Sequence, residues 1–88
     1  MRTILVSYDL APGRDDTALA DRLRGYRTWC RLHGAAWIVQ TARRASEVRS
    51  DLGRCLGDGD RLYVAALSGE AAWIGLPPDV SRWIVELT

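Results

Sequence analysis

The sequence predicts a single α+β domain over residues 1–88, in which short strands alternate with helices. Short apolar runs bounded by turn residues recur at residues 2–9, 35–41 and 62–67, as expected for strands buried in a sheet. Segments with apolar residues at helical spacing separate these runs. The 88 residues, 48% of them hydrophobic and 26% charged, suffice for one small core.

The first half of the chain is predicted to form a strand, a helix and a hairpin. Residues 2–9 form the first strand, and Asp15 or Asp16 then caps a helix that ends at Gly25. The apolar positions of this helix, at spacings of i, i+4 and i+7, are Leu19, Leu23 and Tyr26. Residues 26–32 and 35–41 are expected to form the second and third strands.

The second half is predicted to add two helices and a strand. Residues 45–56 form an amphipathic helix, residues 57–60 form a turn, and residues 62–67 form a strand. Residues 71–74 are expected to extend a sheet edge. A last helix begins at Pro77-Pro78-Asp79. The apolar residues of the two helices are Val48, Leu52 and Leu56 in the first, and Val80, Trp83, Ile84 and Leu87 in the second.

The order of these elements is β-α-β-β-α-β with an extra C-terminal helix, which predicts a ferredoxin-like sandwich. In that fold both main helices lie on one face of an antiparallel sheet. The last helix or a second subunit must then cover the other face, so we expect a homodimer. The four tryptophans at residues 29, 37, 73 and 83 are better explained by core and dimer packing than by stacking on bases.

The charge distribution is more informative than the formal net charge of +1, which is too small to indicate nucleic-acid binding by itself. All twelve basic residues are arginine, and eight of them lie between Arg22 and Arg54 together with only two acidic residues. Phosphate recognition and a coding bias both account for the absence of lysine. Arg43, Arg44 and Arg49 are the candidate nucleic-acid contacts, and a solvated helix face is the alternative.

The cysteines and the apolar runs limit the class of protein. Cys30 and Cys55 are too few for a zinc site or a disulfide framework. No apolar stretch approaches the length of a membrane span. We therefore expect a cytoplasmic protein without membrane contact.

Asp9 is the candidate catalytic residue. It lies where the first predicted strand leaves the sheet and precedes the breaker pair Pro12-Gly13. A strand fixes the backbone there, while the loop opens the side chain to solvent, which suits a metal ligand or an acid–base group. A carboxylate that only caps the loop is the alternative.

Several segments resemble a known family. They are the first strand with Tyr8-Asp9, the run Trp37-Ile38-Val39-Gln40-Thr41, the helix around Glu47-Val48-Arg49 and the run Asp60-Arg61-Leu62-Tyr63-Val64. With them the chain resembles small uncharacterised bacterial proteins labelled SinR-like, which in turn resemble the CRISPR-associated Cas-two proteins and VapD-type toxins. The resemblance implies a ferredoxin-like homodimer in which Asp9 of each protomer approaches its twin and the pair holds Mg²⁺.

Two hypotheses follow from different functional classes. The first is a dimeric Mg²⁺-dependent endonuclease acting on RNA or DNA, with Asp9 as the metal ligand and the region from Arg22 to Arg54 holding phosphates. The second is a non-catalytic homodimeric adaptor or nucleic-acid-binding module in which Asp9 is dispensable.

Overall fold

The computed structural model describes residues 1–87, in which a four-stranded antiparallel sheet packs with three helices. In chain order the elements are β1 (Arg2–Asp9), α1 (Thr17–Arg24), β2 (Thr28–His33), β3 (Ala36–Thr41), α2 (Ala45–Gly53), β4 (Arg61–Ala66) and α3 (Pro78–Leu87). The strands lie side by side in the order β2-β3-β1-β4. The predicted α+β class is confirmed, and the arrangement is compatible with a ferredoxin-like sandwich.

One predicted helix end agrees with the observed one and the other differs. α1 ends at Arg24 with Gly25 as its C-cap, as predicted. The N–H groups of Gly25 and Tyr26 each bond to the carbonyl three residues back, so the predicted apolar position Tyr26 lies outside the helix. α2 ends at Gly53 rather than Leu56, because the N–H groups of residues 55 and 56 also bond three residues back. Helices commonly tighten in this way at their last turn.

The observed strands lie within two residues of the predicted segments at each end, and one predicted segment is absent. The second strand begins at Thr28, two residues later than predicted. Residues 71–74 form no strand, so the predicted extension of the sheet edge is wrong. The side chain of Leu87, predicted for the apolar face of the last helix, lies outside the described part of the chain.

The main core lies between the sheet and the helices α1 and α2. Alternate residues of β1 point into it, and Ile4 and Val6 are fully buried. The other buried members are Tyr8, Leu19, Ala20, Leu23, Trp37, Val39, Val48 and Leu52. The indole Nε1–H of Trp37 donates to the Tyr8 hydroxyl at 3.0 Å, which satisfies the polar atom of the largest buried side chain. We call this side of the sheet the sealed face.

The opposite side of the sheet is covered only in part. α3 packs there against β2, where Cys30, Val80 and Ile84 form a small buried cluster. Among residues 1–87, this cluster includes no residue of β1 or β4, and Tyr63 of β4 is 64% exposed. We call this side the open face. None of the helices in residues 1–87 is long and apolar enough to cross a bilayer.

Candidate nucleic-acid interface

A groove runs along the outer surface of the helical layer, where α1 and α2 meet solvent. Its volume is about 520 Å³, and its lining residues are Arg22, Arg43, Ser46, Glu47, Arg49, Ser50, Asp51 and Arg54. The helical period explains this surface, because Val48 and Leu52 face the core and their neighbours in α2 therefore point outward. We call it the arginine groove.

The three arginines predicted as nucleic-acid contacts have different surroundings. Arg49 lines the groove, is exposed, and makes no hydrogen bond or ion pair through its side chain with residues 1–87. Arg43 also lines the groove, but its guanidinium lies 5.8 Å from the centre of the Tyr26 ring and 3.5 Å from Asp51. The structure therefore brings Arg43 and Arg49 together on one surface.

Arg44 is not among the residues that line the groove. It lies just before α2, and its backbone N–H donates to the Glu47 carboxylate at 2.9 Å. From the sequence, this helix N-terminus, which favours anions, is expected to help bind phosphate. The structure shows that Glu47, in the first turn, already occupies part of that position.

The sequence included Arg22 and Arg54 only as the ends of a basic segment predicted to hold phosphates, and not as individual contacts. Arg22 comes from α1 and Arg54 from the turn after α2, and they share a groove only because the two helices pack side by side. No local motif marks this arrangement. Their place within a basic segment was the single available signal.

Asp51 organises the inner end of the groove. Its carboxylate accepts from Nε and Nη2 of Arg22 at 2.7 and 2.6 Å and from the Tyr26 hydroxyl at 2.7 Å. Burial raises the pKa of Asp51, but the hydrogen bonds from Arg22 and Tyr26 outweigh it, and the net pKa is lowered. Burial together with the bond to Asp51 raises the pKa of Tyr26 to about 12. Asp51 is therefore ionised and Tyr26 neutral near pH 7.

Asp9 lies at the other end of the sheet from the predicted arginines. Arg2 pairs with Thr41 at one end of β1, whereas Asp9 pairs with Arg61 at the other. Seven residue steps along a strand amount to roughly 23 Å. Arg43 lies two residues after Thr41, so one chain does not unite the catalytic candidate with the basic surface.

Asp9 does not cap the loop that follows β1. Its exposed side chain makes no hydrogen bond or ion pair with any of residues 1–87, so the loop-capping interpretation is wrong. Asp60 holds that loop instead, accepting from the N–H groups of Ala11 and Gly57 at 2.8 Å each, with Nε of Arg14 at 2.9 Å. The bonds from Ala11 and then Gly57 lower the pKa of Asp60.

The donor set around Asp9 does not make a metal site in one chain. Within residues 1–87, no three His, Cys, Asp or Glu side chains lie close enough together to hold a metal ion. Mg²⁺ prefers several oxygen ligands in a near-octahedral arrangement. Asp9 supplies one carboxylate of such a shell, and waters, a phosphate or a second protomer would supply the other oxygens.

Comparison of the chain with protein-family models, curated protein sequences and solved structures finds no match. Two features of the molecule remain as guides to its function. One is the arginine groove, and the other is the isolated carboxylate of Asp9.

Proposed function

We propose that this protein is a ferredoxin-like module that binds nucleic acid through the arginine groove without cleaving it. The convergence of four arginines from α1, α2 and the adjoining turns on one groove carries this proposal. Arginine presents a planar fork of donors that matches the oxygens of a phosphate group. The strand order β2-β3-β1-β4, with each neighbouring pair antiparallel, supports the ferredoxin-like assignment.

The charges of the groove favour an anionic polymer over a protein partner. Four arginines face two acids, Glu47 and Asp51. Asp51 is already paired with Arg22, whereas the side chains of Arg49 and Arg54 have no partner within residues 1–87. Unpaired guanidinium groups on a concave surface attract a phosphate backbone, and their binding releases counterions.

The lining of the groove also suggests how the nucleic acid is recognised. No aromatic side chain appears among the described residues that line it, so stacking of bases plays no part there. Contacts to phosphate fix position and carry no sequence information. We therefore expect binding that depends on salt and little on sequence.

A double variant of the two unpaired arginines tests this function. We expect Arg49→Gln with Arg54→Gln to weaken binding of a fluorescent single-stranded oligonucleotide by about tenfold or more, and to reduce the salt slope by roughly 1.4. Fluorescence anisotropy at several salt concentrations measures both. Arg82→Gln, on α3, is the matched control, since Arg82 is also exposed and unpaired within residues 1–87. Equal affinities for all three proteins would refute the proposal.

The open face supports the homodimer as part of the same proposal. Tyr63 and Leu67 are exposed over β1 and β4, and α3 leaves this region uncovered. Asp9 and Arg61 lie opposite each other in the sheet register, and neither side chain has a partner within residues 1–87. A two-fold axis over this face would place Asp9 of one copy near Arg61 of the other, which makes the surface self-complementary.

A second candidate is the Cas-two-like Mg²⁺-dependent endonuclease. The exposure of Asp9 and its lack of any partner within residues 1–87 favour it, because a carboxylate without a structural bond is available to a metal. This candidate requires the two Asp9 side chains of a dimer to meet each other rather than Arg61. The two candidates therefore differ in the partner of Asp9.

Two variants separate the candidates. The endonuclease predicts that wild-type protein cleaves RNA or DNA only with a divalent ion and that Asp9→Asn abolishes cleavage while the fold is retained. The binding module predicts no cleavage and unchanged binding for Asp9→Asn. In the binding module, the charge exchange Asp9→Arg with Arg61→Asp preserves the dimer. In the endonuclease the same exchange removes the metal ligand.

A further inference from the structure

A second cavity lies at the inner end of the arginine groove, beside the C-terminal end of α1. Its volume is about 350 Å³. It shares Arg22, Arg43 and Asp51 with the groove. Tyr26, Arg27 and Thr41 also line it. We call this cavity the end pocket.

The charges of the end pocket match a doubly charged anion. Three guanidinium groups and one carboxylate, that of Asp51, line the cavity, which leaves an excess of two positive charges. Arg27 is exposed and makes no side-chain bond with residues 1–87, so its donors are available. A phosphomonoester carries about −1.5 to −2 charges near pH 7. A phosphodiester within a strand carries only one, so the excess suits a terminal phosphate better.

Thr41 supplies an independent observation. It is 8% exposed, and its Oγ1 accepts the backbone N–H of Arg43 at 3.2 Å. The hydroxyl hydrogen has no acceptor among residues 1–87, although the residue lines the cavity. Because Oγ1 already accepts one hydrogen bond, the atom is not left without a partner, and the hydroxyl keeps its donor for a ligand in the cavity. An oxygen of a bound anion would satisfy that donor.

The Tyr26 hydroxyl does not compete for that ligand. It donates to Asp51 at 2.7 Å and so holds the carboxylate at one side of the cavity. Arg22 binds the same carboxylate, while Arg43 lies farther away at 3.5 Å. Asp51 thereby orients Arg22, and Arg27 and Thr41 remain free to contact the anion.

We propose that the end pocket binds the terminal phosphate of a nucleic-acid strand whose backbone lies in the arginine groove. This inference rests on the proposed nucleic-acid binding and adds a preference for phosphorylated ends. The groove and the pocket share Arg22 and Arg43, so a strand passes from one to the other without leaving the basic surface.

The experiment compares oligonucleotides of one sequence that carry a 5′-phosphate, a 3′-phosphate or hydroxyl groups at both ends. We expect one of the phosphorylated forms to bind about tenfold tighter than the unphosphorylated form, because it adds charge-assisted hydrogen bonds. Arg27→Gln should remove this preference and change the affinity for the hydroxyl-ended strand by less than about threefold. Arg82→Gln is the control and should retain the preference.

Other results of this experiment would contradict the end-pocket proposal or show that the pocket binds a free nucleotide. Equal affinity for all three wild-type complexes would overturn the end pocket, while the effect of Arg49→Gln with Arg54→Gln would still uphold the groove. A preference that survives Arg27→Gln would also overturn it. Adenosine monophosphate should compete away only the advantage of the phosphorylated strand. Tight binding of this mononucleotide without any advantage for phosphorylated strands would assign the pocket to a free nucleotide and refute our proposal.

Discussion

The two faces of the sheet are built from alternate residues of the same strands, yet they are covered to very different extents. On the sealed face, Ile4 and Val6 of β1 are fully buried beneath α1 and α2. On the open face, Leu5 and Ser7 of the same strand are only partly buried. Since hydrophobic stabilisation scales with the area removed from water, most of the stability must come from the sealed face.

The two faces of the sheet also differ in the role that we assign to each. The sealed face fixes the fold, and the outer surface of its helices carries the arginine groove. The open face has a small cluster around Val80 and Ile84 and leaves Tyr63 exposed. The homodimer proposed above would use the open face, because contacts made there do not compete with the groove.

A matched pair of valine substitutions gives the largest expected contrast. Val48 of α2 is fully buried in the sealed face, whereas Val80 of α3 is 8% exposed in the small cluster. We expect Val48→Ala to lower the free energy of unfolding by about 2–3 kcal/mol and Val80→Ala by about 1 kcal/mol. Urea unfolding followed by tryptophan fluorescence measures both. Equal losses would show that the two faces contribute alike.

A charge placed on the open face should break association without unfolding the chain. Tyr63 is 64% exposed, so Tyr63→Glu costs little in a single protomer. We expect the solution mass to fall from that of a dimer to that of a monomer, with an unchanged circular dichroism spectrum. Tyr63→Phe keeps the apolar ring and should remain dimeric. A wild-type protein that is monomeric at high concentration would contradict the use of this face.

Acid should weaken the polar contacts above the sealed face. The pKa of Asp51 is lowered in the folded chain, so its stabilisation is present above the unfolded value of about 3.9 and is lost as pH falls through the folded value. We expect Asp51→Asn to be less stable than wild type by about 1 kcal/mol near pH 7, and the difference to shrink as pH falls below about 4. Urea midpoints across this range measure the difference. A constant difference would show that the carboxylate charge is irrelevant.

High pH should also weaken the hydrogen bond between Tyr26 and Asp51, here because Tyr26 loses its proton. The pKa of Tyr26 is raised to about 12 in the folded chain. Its contribution is therefore complete below the unfolded value of about 10 and is lost as pH rises toward 12. Tyr26→Phe should remove this alkaline loss, which unfolding at pH values between about 8 and 11 will show. Identical alkaline profiles for the two proteins would exclude Tyr26 as the cause.

The smallest effect is expected at an exposed apolar residue beyond β4. Ile74 is 96% exposed and packs against neither core cluster. Ile74→Ser should change the free energy of unfolding by less than about 0.5 kcal/mol. A larger loss would show that the segment before α3 contributes to the open face. The same urea experiment decides this.

The fold was largely predictable because its signals are local. The apolar run of β1 and the spacing of Leu19 and Leu23 specify a strand and a helix within a few residues. The strands paired in the register that buries Ile4 and Val6, as alternation requires. The end of α2 was missed because residues 54–56 bond to carbonyls three residues back, and these bonds depend on how the chain turns away.

The candidate site was predictable only in part, because its contacts are non-local. The sequence singled out Arg43 and Arg49, whose position in a basic segment is visible in one dimension. It did not indicate that Asp51 joins Arg22 and Tyr26, which lie 29 and 25 residues away along the chain. Whether Asp9 holds a metal, and whether Arg44 contacts a ligand, stay predictions.

Asp60 ties together two loops that are distant in sequence. Its carboxylate bonds to Ala11 in the loop after β1 and to Gly57 in the loop before β4. Gly59 has a φ of +84°, and a methyl group there would lie 3.2 Å from the Ala11 side chain, so the approach is close. Neither loop can open while this carboxylate keeps both bonds. The amides of Ala11 and Gly57 should therefore exchange with deuterium in one cooperative event.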